Sequence, residues 1–177
     1  MPDAPLPLLA RWANFYVILG SAAGALTGLQ FVVMTLIAEA QVAGDRRDVS
    51  AFGTPTVVHF CAALMISVVM SAPWTTSRQV EFCLAAGGVL GLAYAASVVR
   101  HAMKSTYRPD AEDWFWYTWL PMSAYLAVLV AALLFEGRPQ LSLFMIAATS
   151  LVFLFSGIHN SWDAVTYVAL NPRHGGK

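Results

Sequence analysis

The chain has 177 residues, of which 58% are hydrophobic and 11% charged, against roughly 25% charged in an average soluble domain. This excludes a soluble globular protein, and a formal net charge of zero leaves no basic patch to recommend a nucleic-acid partner. Cys61 and Cys83 are the only cysteines; they fall on different helices at different expected depths, so both read as free thiols and not as a disulfide framework.

The pattern predicts an all-α integral membrane protein, a five-transmembrane-helix bundle forming one domain over 1–177, with helices at about 14–38, 55–72, 79–103, 111–135 and 140–170. The first ten residues hold Asp3 and no Lys or Arg, and the apolar run from Ala13 to Ala38 exceeds the ~7 to 15 residues of a signal-peptide core, so it reads as a retained membrane helix. Along it Gly20, Gly24 and Gly28 make a doubled GxxxG. Asn14, Ser21, Gly28 and Thr35 repeat at seven-residue intervals beside them, a small and weakly polar seam for close helix contact. Gln30 falls on roughly the opposite side from Gly28 and needs a second partner.

Glu39 ends this helix, and the polar stretch from Gln41 to Gly53 reads as a loop. Thr54 and Pro55 have the chemistry of an N-cap and first helical residue. The second helix carries Thr56, His59, Ala63 and Ser67 on one stripe, with His59 about one turn inside the membrane. Ser71 to Ser77, with Pro73 and Trp74, is a short turn. On the third helix Gly87, Gly91 and Ala95 make another small-residue seam, and Tyr94, Ser97 and His101 follow one another three or four residues apart along that side.

The fourth helix opens on Asp110, Glu112 and Asp113, which suit the positive end of a helix dipole. Trp114, Trp116, Tyr117 and Trp119 read as an interfacial aromatic belt. Pro121 should free the carbonyl of Tyr117 and kink the helix. After Glu136-Gly137-Arg138-Pro139, a last helix of about 30 residues is ~45 Å long and should emerge from the bilayer. Spacing places Ser156, His159, Asn160, Asp163 and Thr166 on one face, with Ile158, Trp162, Val165 and Ala169 on another.

Arg11, Arg78 and Arg138 mark one side of the membrane; Arg46, Arg47, Arg100, Lys104, Arg108, Arg173 and Lys177 mark the other. The positive-inside rule then puts the N-terminus out and the C-terminus in the cytoplasm. With that orientation Glu39, His59, His101, His159 and Asp163 come from four helices to one cytoplasmic level. Boundaries are also where polar residues belong, so this level reads either as a bundle seal or as a site.

Three functions remain open. The cluster suits movement of an ion, proton or small solute, with His159 and Asp163 central and His59, His101, Glu39 and Asn160 as neighbours. His59, His101 and His159 could instead ligate haem or a divalent metal in a redox protein, with Asp163 as a ligand or an orienting partner. The small-residue faces also suit a structural or regulatory subunit of a membrane complex.

No N-x-[ST] acceptor, Walker pattern, dinucleotide glycine pattern or HExxH is found. The four histidines are fewer than multi-histidine di-iron membrane enzymes use, so enzyme status stays open and leans against. The expected partners are the lipid bilayer and further copies of the chain, through Gly20, Gly24, Gly28, Gly87 and Gly91. In hydropathy alone the chain resembles small five-span bacterial membrane proteins, which implies a bacterial-type inner membrane.

Overall fold

In the computed structural model, residues 5–40, 46–103 and 111–170 are described; inside these helices the side chains of 36–40, 46–55, 101, 102, 113 and 167–170 fall outside the description. The elements are α1 (Pro5–Ala10), α2 (Ala13–Ala40), α3 (Arg46–Ser71), α4 (Ser77–Ala102), α5 (Ala111–Trp114), a π-helical stretch (Phe115–Trp119), α6 (Leu120–Leu134) and α7 (Pro139–Leu170). Among the described residues there is no strand. Four segments are long and apolar enough to cross a membrane: Ala13–Thr35, Ser77–Arg100, Phe115–Leu134 and Pro139–Thr166. In α3 the stretch Thr56–Ser71 is a shorter apolar helix. It carries its polar groups inward, and Thr56, His59 and Ser67 are all buried.

The helices pack in the order α2, α3, α7, α6, α4. Small residues let two pairs of helices approach closely. A Cβ on Gly88 would stand 3.0 Å from that of Leu129, and one on Gly91 would enter the ring of Tyr125, so α4 lies against α6 through the missing side chains. Gly157 of α7 lies under the ring of Phe60 in the same way. Phe135, Leu143, Ile146 and Phe153 fill the centre and are fully buried, while Ile18, Phe82, Leu90 and Leu133 are more than two-thirds exposed. An apolar exterior of this kind is what lipid solvates.

The structure differs from the sequence pattern in three places. Pro5–Ala10 is helical and buries Leu8 and Leu9; Trp12 then meets Phe144 edge to face, centroids 4.8 Å apart, which anchors α1 at the start of α7. α3 begins at Arg46, so Thr54 and Pro55 lie within it and do not start it. The expected kink at Pro121 takes the form of a π-helix, in which the Leu120 N–H donates to the Phe115 carbonyl. Widening the turn carries the Tyr117 carbonyl away from the proline ring, the clash that a continuous α-helix would impose.

The turns are closed by side chains. The Gln79 Oε1 accepts from the Thr75 and Thr76 N–H groups, at 3.3 Å each, and holds the α3–α4 turn. Ser77 Oγ donates to Glu136 Oε1 at 2.9 Å, tying this turn to the end of α6.

Candidate functional site

Hydroxyl groups inside an apolar bundle need partners, and most here have them. Ser67 Oγ donates to the Ala63 carbonyl at 2.9 Å and Ser150 Oγ to the Ile146 carbonyl at 2.7 Å, each bonding back one turn along its own helix. Ser142 Oγ crosses from α7 to the Ala131 carbonyl of α6 at 2.7 Å. These groups are structural; at this end of the bundle the buried Tyr16 hydroxyl is the one that has no partner among the described residues.

Towards the other end the pattern changes. Ser156 and Asn160 stand one turn apart on α7, both fully buried. Neither Ser156 Oγ nor either end of the Asn160 amide has a hydrogen-bond partner among the described residues. His59 is 1% exposed with its Nδ1 unpartnered among them, and its ring lies along Phe153, 25° from parallel and 6.3 Å between centroids. Gln30 is 2% exposed and meets Ser161, whose Oγ is 2.8 Å from the Gln30 Oε1 and 2.8 Å from the Gly157 carbonyl. The hydroxyl has a single proton, so it donates to one and accepts from a turned Gln30 amide at best. One end of that amide is left over either way.

Register brings these groups to a common level. Gly20 meets Ser67, and an equal run along the antiparallel pair α2 and α3 brings Gln30 level with residues 56 and 57. Phe60 meets Gly157, which puts Thr56 level with Ser161 by the same count. Gln30, Thr56, His59 and Asn160 thus fall within one helical turn of a common level, with Ser156 one turn further in, and make a buried polar region shared by α2, α3 and α7. An orphaned buried polar group costs about 1–3 kcal/mol, so several of them are comparable with the ~5–15 kcal/mol that holds a domain together. A layer kept against that cost is the strongest sign of use in this chain.

His159 leaves the layer sideways. Its ring lies on the indole of Trp116, centroids 3.9 Å apart and planes 11° from parallel. The Nε2 faces outward, 3.8 Å from Glu112 Oε1, an ion-pair distance too long for a hydrogen bond. The Nδ1 is buried and has no partner among the described residues. Glu112 and Trp116 are one helical turn apart, and the π-helical stretch begins between them.

The α7 face expected to carry the site therefore divides. Ser156 and Asn160 go to the interior, His159 to the boundary with Trp116, and Asp163 to the exposed surface. The ion pair of His159 among the described residues is with Glu112, in the first turn of α5, and not with Asp163. The side chains of Glu39 and His101 lie outside the described residues. Among the described residues no three of His, Cys, Asp or Glu come together as a metal-binding group. His59 faces Phe153 and His159 faces Trp116.

Sequence reasoning passes over Glu112, Trp116 and Ser161. Glu112 and Trp116 are legible as one face of a helix, four residues apart, but dipole and belt chemistry explain each of them without a partner. Neither protein families, curated proteins nor solved structures give a match to this chain, and its function is argued from this geometry.

Proposed function

We propose that the chain is a five-span membrane protein that moves protons, or a small solute carrying one, through the end of the bundle at His159. The carrying observation is that the two nitrogens of this imidazole face different media. Nε2 is beside the exposed carboxylate of Glu112, and Nδ1 is enclosed without a partner among the described residues. Imidazole can take a proton at one nitrogen and release another from the second, which moves charge without moving the ring. Trp116 holds the ring plane by stacking. Asn160 and Ser156, one residue and one turn away, supply open donors and acceptors on the inner side. Glu112 and exposed Asp163 make an acidic rim that gathers protons.

In this reading α3 is the fifth span, and the His159 end is cytoplasmic by the arginine and lysine bias of its loops. Copies associate through the part of the small-residue seam that the fold leaves free. Gly20 and Gly91 are occupied by Ser67 and Tyr125 within the chain, whereas a Cβ on Gly24 or Gly28 of α2 would meet nothing within 4 Å.

The test is proton flux in proteoliposomes with an internal pH dye. His159→Ala should lower flux at least tenfold and Glu112→Gln several-fold, with Asp163→Asn having a smaller effect. Flux unchanged in His159→Ala overturns the reading.

A further inference from the structure

None of the chemistry above uses the space between α3 and α4. A short turn joins these helices, yet they diverge beyond it, because α4 packs on α6 while α3 packs between α2 and α7. The gap is a groove of about 430 Å³. Its walls run from Val58 to Val69 on α3 and from Cys83 to Tyr94 on α4, over a floor that includes Tyr125 and Phe153. No charged residue lines it. Gly87 contributes to the opening, since a Cβ there would meet nothing within 4 Å. Met65 and Leu90 stand in the mouth, 59% and 70% exposed, so the lips continue the lipid-facing surface without a polar break.

Its dimensions select an occupant. Eleven helical steps along either wall give a length of about 16 Å, roughly half of the ~30 Å hydrocarbon core. Spread over that length, the volume corresponds to a channel about 9 Å from wall to wall once a water radius of ~1.4 Å is allowed on each side. A helix with its side chains needs ~10–12 Å; one extended hydrocarbon chain fits. The groove is also central in depth, as Cys83 is six residues from Ser77 and Tyr94 six from Arg100, the two ends of the α4 span. At that depth a bilayer offers tails and no headgroups.

We propose that the groove is a binding site for a single acyl chain of a bilayer lipid, which enters sideways between α3 and α4 and lies on Tyr125 and Phe153. The site is separate from the proton path, and neither reading depends on the other.

The test reconstitutes the full chain in phosphatidylcholine vesicles containing a graded fraction of phosphatidylcholine with a photoactivatable diazirine near the methyl end of one acyl chain. Labelled positions are then mapped by peptide mass spectrometry. Labelling at Cys61, Met65 and Leu90 should saturate with probe fraction and exceed that at Leu133, an outward residue 76% exposed, at least fivefold. Gly87→Phe should abolish that excess and leave Leu133 unchanged. Groove labelling that rises linearly and matches Leu133 would mean ordinary boundary lipid and overturn the proposal. So would an unlabelled groove with oxidative cross-links between Cys83 of two copies, which would make it a protomer interface. The saturation curve needs only the unaltered chain, so a poorly folded variant would not remove the test.

Discussion

The His159 imidazole lies flat on the Trp116 indole, 3.9 Å between centroids, and this contact joins the last helix to the π-helical stretch at the head of α6. It covers one face of a ring whose edge reaches Glu112. The stack therefore sets both the position of this imidazole and its access to solvent.

Trp116→Ala removes that cover. Aromatic pairs contribute about 0.5–1.5 kcal/mol beyond the area they bury, so the thermal midpoint in detergent should fall modestly. The reaction of His159 with diethyl pyrocarbonate should speed up several-fold, while buried His59, 1% exposed, stays slow. An unchanged rate at His159 would show that the indole does not shield it.

Pro121 maintains the π-helical stretch, because an α-helical turn would drive its ring into the Tyr117 carbonyl. Pro121→Ala restores the missing N–H and allows α-helical pairing there. Losing the wide turn would rotate Glu112 and Trp116 by about 100° relative to α6, the angle of one residue in a 3.6-residue turn. His159 should then lose both partners. Disulfide trapping between cysteines placed at 112 and 159 reads this out: efficient while Pro121 is present, and at least several-fold less efficient once Pro121→Ala is added. Equal efficiency would mean that the proline does not set the register.

These relationships mark what a single sequence can reveal. The stripe Thr56, His59, Ala63, Ser67 is buried as its spacing implies, and Ile158, Trp162 and Val165 face outward, because both follow from the local geometry of one helix. Gln30 needs a partner and has Ser161, but nothing within α2 says that α7 supplies it. The same holds for Tyr125 over Gly91. Proximity in sequence assigns His159 to Asp163, whereas its carboxylate partner is 47 positions earlier, at Glu112. Pairings between helices depend on the packing order of the bundle, which periodicity does not encode.

Glycine substitutions separate packing from opening. A Cβ at position 91 would overlap the ring of Tyr125, and one at 157 would be 2.5 Å from Phe60 Cε1, so Gly91→Ala and Gly157→Ala should each cost about 1–3 kcal/mol through overpacking. Gly24→Ala and Gly28→Ala meet nothing within 4 Å and should be neutral or stabilising by up to about 1 kcal/mol in the monomer. Thermal midpoints at low protein density in detergent check this. Destabilisation by Gly28→Ala only at high density would place that seam between copies, as proposed.

Asn160→Leu tests whether the polar layer is kept for use. The amide is fully buried with neither end partnered among the described residues, and leucine is similar in size without the polar atoms. If the layer serves packing alone, removing an orphan that costs about 1–3 kcal/mol should stabilise the chain and leave flux intact. If the amide passes or holds the moving species, stability should rise while proton flux falls at least tenfold, the trade that functional sites make. A variant both unstable and inactive would show that Asn160 has a structural partner outside the described residues. Midpoint and flux are measured on the same preparation, so that only the combination of a firmer fold and a silent pathway counts in favour of the proton reading.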